Sequence, residues 1–338
     1  MGKRFHAMRI TVKVGTSTLT HATGRLNIQR IEKLCKVLSD LKNAGHEIIL
    51  VSSGAIGMGV GKLNLPGRPA DMPGKQAAAA VGQCELIYTY DKLFGEYNHT
   101  VAQLLLTGED IKNGQRSQNV RNTLTRLLEL GALPVINEND AVATDEIGVE
   151  NTIGENDTLS AIVAAAIGAD LLVLLSDIDG LYDSDPHQNP GARIIPTVKN
   201  VDDHIYALAG GTGSALGSGG MVTKLNAAVI ATEAGCEMVI SNGSKPELLY
   251  DIAQGKPVGT RFLRKEAYRH DNHGNYPPHP HRQNRSAHPN GRGQKPPAPV
   301  HGRESPPAHN RYSSRQRPGC GGRSGQNFRC DAGPSAAG

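Results

Sequence analysis

The chain has 338 residues, with 36 Lys and Arg against 32 Asp and Glu and a formal charge of +4. That length allows one large or two ordinary domains, and an α/β body of about 250 residues can bury a full core. The opening residues MGKRFHAMRITVKVG lack the apolar stretch of a signal peptide, and the longest apolar candidate, AIVAAAIGAD, meets Asp170 well short of the roughly 20 residues that span a bilayer, so a cytoplasmic protein is expected.

In chain order, RITVKVGTSTL reads as a strand entering a Gly-Thr-Ser turn. NIQRIEKLCKVLSDLKNAG places Ile31, Leu34, Val37, Leu38 and Leu41 on one helical face and ends at Gly45. HEIILVSSGAIGMGVG is a second apolar strand running into a glycine-rich bend, and TVAQLLLT, LPVINEN, DLLVLLSDIDGLY and EMVISNG supply further strands. Helices are expected near 75–95, 116–131, 156–168 and 221–235. Strands that are apolar throughout and separated by helices predict a three-layer α/β/α sandwich with an open, mainly parallel sheet, whose ligands sit at the carboxyl ends of the strands. Cys35, Cys84, Cys236, Cys320 and Cys330 form no CxxC pair, so neither a zinc site nor a disulfide framework is indicated, and the first three are expected as buried free thiols.

Composition changes near residue 265, which bounds a domain over 8–265 and a tail over 266–338. From His270 onward there is no Leu, Ile or Met, and ten basic residues against three acidic ones give a balance of +7, leaving −3 for the rest of the chain. Such a segment cannot bury enough apolar surface to offset its chain entropy and is expected to be disordered. It could be a nucleic-acid-binding arm, a His-rich metal tract, or an out-of-frame reading into a downstream gene. The last has a specific hint: nine of the ten basic residues are Arg, and HDNHGNYP shifted by one base permits a plausible protein start.

The polar residues gather after the strands. KVGTS (13–17), SSGAIG (52–57), NENDAVAT (137–144) and SDIDGLYDSDP (176–186) follow four of them, and GGTGSALGSGGMVTK (210–224) opens a late helix. Glycine and hydroxyl residues there suit phosphate binding, because backbone N–H groups must approach closely. A helix beginning GSGGMVTK offers free N–H donors to an anion, with Lys224 beside them. Neither a Walker A loop nor a GxGxxG turn after the first strand is present. Lys13 interrupts an apolar strand, where a charge is costly unless it meets a counter-charge or a phosphate; the alternative is an edge-strand lysine facing water.

The motifs VKVGTSTLT, VSSGAIGMG, AAVGQCELIYTYDKLF, QLLLTGEDI, VINENDAVAT, IGENDTLSAIVA, SDIDGLYDSDP and GSGGMVTKLNAA, in order over roughly residues 8–262, resemble those of the glutamate 5-kinase family in the amino acid kinase superfamily. The resemblance implies an enzyme that uses ATP and Mg²⁺ to phosphorylate the side-chain carboxylate of L-glutamate, giving L-glutamyl 5-phosphate for proline biosynthesis. It implies catalytic roles for Lys13, Asp157 and Lys224, with Asp157 organising the two lysines and no protein metal ligand. It places nucleotide contacts at Lys13, Ser176, Asp177, Ser218, Gly219, Gly220, Met221, Val222, Thr223 and Lys224. Substrate contacts fall to Ser53, Asp140 and Asn156, with Asn137 nearby.

Glutamate carries an α-ammonium that wants a carboxylate, here Asp140, and carboxylates that want amide and hydroxyl donors. Asn156 and Asp157 open a helix, so one of the pair could instead cap it. Asp177 and Asp179 could likewise be plain turn residues, and Asp145, Glu146 and Glu150 are expected to be solvated.

The same resemblance implies feedback inhibition by proline, functional coupling to glutamyl-phosphate reductase, and homo-oligomers built through the substrate half. Many members carry a C-terminal domain of a kind also found in RNA-modifying enzymes, and here the tail stands in its place. Two rival functions are a related kinase acting on aspartate or acetylglutamate, and a nucleic-acid-binding regulator using the basic tail.

Overall fold

The computed structural model describes residues 7–21, 25–142, 156–186, 188–209 and 218–265, all within one compact unit, Met1–Gly274. The tail, the loop 210–217 and the acids Asp145, Glu146 and Glu150 lie outside the described residues, as do the side chains of Ser218 and Gly219.

Eight strands form one sheet. They are β1 (Arg9–Val14), β2 (Glu47–Ser52), β3 (Val101–Leu106), β4 (Leu133–Glu138), β5 (Leu171–Ser176), β6 (Thr197–Val198), β7 (Glu237–Asn242) and β8 (Thr260–Phe262). Their order is β3-β4-β2-β1-β5-β7-β8-β6, parallel throughout except where β8 runs against β7. The helices among the described residues are α1 (Thr16–Leu19), α2 (Ile28–Asn43), α3 (Ala55–Lys62), α4 (Met72–Gly95), α5 (Gly108–Lys112), α6 (Gly114–Glu129), α7 (Asn156–Ala166), α8 (Asp203–Ala209), α9 (Ser218–Glu233) and α10 (Leu248–Ala253). The predicted α/β/α sandwich with a mainly parallel sheet is the observed one. Elements absent from the expectation are the short ones, α1, α5, α8, α10, β6 and β8, and the helix α3.

Side-chain alternation divides the core. Ile48 and Leu50 of β2, with Val12 of β1 and Val173 of β5, join one apolar layer with Leu34 and Leu38 of α2 and with Leu86 and Tyr90 of α4. Ile49 and Val51, with Leu172 and Leu174, point the other way into a second layer with Leu159 and Val163 of α7 and Ala227 and Ala231 of α9. A strand with apolar residues at every position is thus buried on both faces, as the period of two requires. Helix α2 starts where the Asn27 side chain accepts from the Arg30 N–H and stops before Gly45, whose φ of 100° is left-handed.

The glycine-rich bend expected after β2 is a helix. Gly54, at φ 109°, turns the chain out of the strand, and α3 follows directly. The glycines farther on serve packing. A Cβ on Gly59 would lie 1.8 Å from the Ala78 carbonyl oxygen, and one on Gly82 would lie 1.8 Å from that of Ala55. The axes of α3 and α4 therefore approach to backbone contact, and two glycines in register make that contact sterically possible. Gly59 is a packing residue and not part of a phosphate loop.

Among the three described cysteines, Cys35 and Cys236 are buried free thiols as expected, whereas Cys84 is exposed. No helix of the described residues is long and apolar enough to cross a membrane.

Candidate active site

Strand β1 lies in the middle of the sheet, between β2 and β5, which excludes the edge-strand alternative for Lys13. Lys13 registers with Val51 and Leu174, both in the α7/α9 layer, so its side chain leaves the sheet on that side. There it meets α7. Lys13 Nζ lies 2.6 Å from Asp157 Oδ1, and Lys224 Nζ, from the second turn of α9, lies 3.0 Å from Asp157 Oδ2. The two lysine side chains are 12% exposed and the aspartate 3%, so the cluster is largely shielded from water.

Burial alone would push the Asp157 carboxyl up, but the charges of Lys13 and Lys224 and their hydrogen bonds outweigh it and hold it below the usual carboxylate range. One carboxylate against two ammonium groups leaves a net positive site. Lys224 also donates to the Gly220 carbonyl at 3.0 Å, tying it to the first turn of α9.

A second group of side chains sits beside this one at the ends of β2 and β4. Ser53 follows β2 and its backbone N–H donates to the Val14 carbonyl at 3.0 Å, pinning the exit of β2 to that of β1. Asn156 Nδ2 donates to Ser53 Oγ at 2.7 Å and to Asn137 Oδ1 at 3.1 Å. Asn137 Nδ2 in turn donates to Gln83 Oε1 at 2.9 Å. Asn156 Oδ1 is buried with no hydrogen-bond partner among the described residues. Neither Asn156 nor Asp157 is spent on capping α7: one serves the amide chain and the other the lysines. Asn137 is 1% exposed and has both ends of its amide engaged, so it supports Asn156 from behind.

Asp140 stands on the wall of a cavity of about 290 Å³ that is also lined by Ala55, Ala79, Gln83, Gln103 and Glu138. Burial raises the Asp140 carboxyl, with the charge of Arg68 acting the other way. Burial and then the charge of Asp140 push Glu138 up to about 7. Two carboxylates in a partly apolar pocket favour a cationic occupant. Gln83 and Glu138 were not singled out from the sequence. Glu138 lay within a run crowded with acids, and Gln83 within a helix whose composition carries no site signal.

At the end of β5, Ser176 Oγ donates to Asp177 Oδ1 at 3.0 Å, and Ser176 O accepts from the Gly243 N–H at 2.7 Å. Asp177 is exposed, while Asp179 accepts from Asn242 Nδ2 at 2.8 Å and so ties the β5 and β7 ends together. On α9, Thr223 Oγ1 donates to the Gly220 carbonyl, and Met221 and Val222 pack against the α7/α9 apolar layer, so their side chains serve the core. Among the described residues no cluster of three or more His, Cys, Asp or Glu side chains could hold a metal ion.

The structure thus combines a mainly parallel α/β/α sheet with two lysines converging on one buried aspartate at its carboxyl edge. Residues 8–242 match the amino acid kinase family. The chain is 53% identical over 258 residues to glutamate 5-kinase of Clostridium perfringens, covering 76% of this chain and 96% of that protein. It is 52% identical over 256 residues to glutamate 5-kinase of Caldanaerobacter subterraneus, covering 76% of this chain and 68% of that protein. Among solved structures the fold is shared with the carbamate kinase from Giardia lamblia bound to AMP-PNP (TM-score 0.55, 16% identity, 77% of this chain and 99% of the other). It is also shared with isopentenyl phosphate kinase of T. acidophilum (TM-score 0.51, 18% identity, 75% and 99%). The chain belongs to the amino acid kinase family, in its glutamate 5-kinase branch.

Proposed function

We propose that this chain transfers the γ-phosphoryl group of ATP to the side-chain carboxylate of L-glutamate, forming L-glutamyl 5-phosphate, the first step of proline biosynthesis. The observation that carries it is Asp157 gathering Lys13 and Lys224 beside the Ser53–Asn156 pair. In phosphoryl transfer negative charge spreads over the oxygens of the moving group, and preorganised cations there stabilise the transition state. Asp157 holds the two ammonium groups in place before the nucleotide arrives, so no charge has to move at the moment of reaction. The nucleophile is a carboxylate, already ionised at neutral pH, and needs no general base. Asp157, held ionised and engaged by two lysines, is not placed to act as one.

Ser53, Asn156 and Asp140 are assigned to the amino acid, with Asn137 behind them. Lys13, Ser176, Asp177, Thr223, Lys224 and the backbone of residues 218–222 are assigned to the nucleotide. Magnesium fits as a companion of the triphosphate and not as a resident ion, since Asp157 is committed to the lysines. Bound with the nucleotide it supplies further charge neutralisation of the phosphates.

Proline, which also carries a carboxylate and a cationic nitrogen, is proposed as a feedback inhibitor competing for the same pocket. Coupling to glutamyl-phosphate reductase is proposed because an acyl phosphate is labile in water. A homo-oligomer through the substrate half is supported by the exposed apolar side chains Leu63, Leu65 and Tyr88 near α3 and α4. A cytoplasmic location is proposed. We assign the kinase domain to residues 8–265 and a Pro/Gly/His/Arg-rich tail to 266–338, and propose out-of-frame translation as the origin of the residues after about 268; a nucleotide sequence without a long open frame in the shifted register sinks that origin.

The test is hydroxylamine trapping of an acyl phosphate with ATP, Mg²⁺ and L-glutamate, L-aspartate or N-acetyl-L-glutamate, on the full chain and on a chain ending at residue 268. Hydroxamate from glutamate alone, with both chains, is expected. Product from aspartate or acetylglutamate moves the enzyme to a sister activity. Strongly salt-dependent RNA or DNA binding, lost on truncation and without hydroxamate, favours the regulator.

A further inference from the structure

Resting on the glutamate kinase assignment above, we propose that Gln83 is a positioning residue that anchors Asn137, and through it Asn156, in the amino-acid site. Gln83 is buried in α4, its Oε1 accepts a 2.9 Å bond from Asn137 Nδ2, and it also lines the cavity that holds Glu138 and Asp140.

A carboxamide has one accepting end and one donating end, and flipping it by half a turn exchanges them. With Gln83 Oε1 accepting, the end of Asn137 that faces it is the NH₂, and the end that faces Asn156 is the oxygen. That oxygen accepts from Asn156 Nδ2, which fixes Asn156 in turn. The same nitrogen donates to Ser53 Oγ. Ser53 is therefore an acceptor toward the protein, and its hydroxyl hydrogen is left free to donate. Asn156 has both N–H groups spent and keeps Oδ1 as an acceptor without a partner. The pair presents a donor at Ser53, which suits a carboxylate, and an acceptor at Asn156, which suits an ammonium. That is the pattern an amino acid needs at its two charged ends.

Because Gln83 is itself a carboxamide, this chain of bonds reverses only if all three amides turn together; without Gln83 the buried end of the Asn137 amide has no partner in either orientation. If Asn137 and Asn156 both flip, Ser53 must donate its hydrogen to Asn156 Oδ1, and both the donor at Ser53 and the acceptor at Asn156 are lost to the substrate. Asn137 cannot recover its bond from water, because it is 1% exposed. A buried amide donor left without a partner is costly, so the flip or a local opening follows.

The experiment compares Gln83→Met, which keeps the length and removes the acceptor, with Gln83→Glu, which keeps an acceptor in the same place. Hydroxamate formation gives kcat and the KM values for L-glutamate and ATP, with melting temperature as a control on folding. Gln83→Met is expected to raise the glutamate KM by about tenfold or more, the cost of one buried unpaired donor, while the ATP KM stays within twofold. Gln83→Glu is expected to restore the glutamate KM to within about threefold of the parent. Should Gln83→Met fail to fold, Gln83→Leu takes its place with the same readouts. A glutamate KM within twofold of the parent in the apolar variant, an equal rise in both KM values, or no rescue by Glu overturns the positioning role. A parent chain that forms no hydroxamate from glutamate overturns the assignment on which it rests, and the proposal with it.

Discussion

Lys13 Nζ lies 2.6 Å from Asp157 Oδ1, a contact between the central strand β1 and the first turn of α7 in which neither side chain is more than 12% exposed. With Lys224 on the other oxygen, the aspartate satisfies two cations that would otherwise be buried against each other. The arrangement explains how an apolar strand can carry a lysine near its carboxyl end, and it makes the charge of each member measurable.

Removing either lysine leaves Asp157 with one partner, so the carboxylate is never bare and the fold is expected to survive. Lys13→Ala and Lys224→Ala should each lower kcat by about two orders of magnitude or more, the scale found for removing one preorganised charge contact. Circular dichroism and hydroxamate assays on the same samples check both halves of the statement. A loss of folding in either variant would make the lysines structural.

Asp157→Asn does the opposite: it leaves two ammonium groups facing a neutral side chain. Breaking a buried pair by removing one partner costs about 3 kcal/mol or more. The variant should unfold at lower urea, and ATP or inorganic phosphate should recover part of the loss by supplying the missing negative charge. In the parent the folded carboxyl titrates below its ordinary value of 3.8. Its contribution to stability is therefore complete above that pH and is lost as the pH falls through the lower folded value. Urea melts of parent and variant from pH 3 to 7 read that difference.

Glu138 carries a pH signature of opposite sign. Its carboxyl sits at about 7 in the folded protein against an ordinary 4.5, so the fold favours the neutral acid. Stability conferred by that proton is present at low pH and declines as the pH rises from 4.5 to about 7. Above 7 the carboxylate adds to Asp140 on the wall of the same cavity and favours an ammonium group, with Arg68 opposing at Asp140. The KM for L-glutamate should fall as the pH rises through about 7, and Glu138→Gln should flatten that step. A profile unchanged by the substitution places the titration elsewhere.

Gly82→Ala tests the helix contact that follows Ser53. The added Cβ would meet the Ala55 carbonyl oxygen at 1.8 Å and the Gly59 nitrogen at 2.4 Å, both backbone atoms that cannot turn away. Helices α3 and α4 must separate, at a cost of about 1–3 kcal/mol for overpacking. Because α3 starts two residues after Ser53 and α4 carries Gln83, the glutamate KM should rise with the fall in melting temperature. An unchanged KM would show that the site tolerates the shift.

The sequence by itself determined the sheet and its helical cover. Runs such as LLVLLS have no polar face to give to water, so β5 had to lie between two layers, and the 3.6-residue pattern of Ile31, Leu34 and Leu38 had to lie on one side of α2. It also marked the carboxyl edge of the strands as the ligand edge, because polar and glycine residues cluster after each strand. Short elements such as β6, β8 and α8 carry too few residues to show a period, and α3 was masked by glycines that serve the α3–α4 contact.

The family resemblance had already grouped Lys13, Asp157 and Lys224, but their distances and the chain of amide bonds behind Ser53 were decided by tertiary structure. Lys13, Asp157 and Lys224 are distant in sequence, and the bond from Gln83 to Asn137 joins a helix to a strand 54 positions away. Which end of an amide donates, and which acid is pushed toward neutrality, depends on what lies across the gap. A linear sequence contains no such distance.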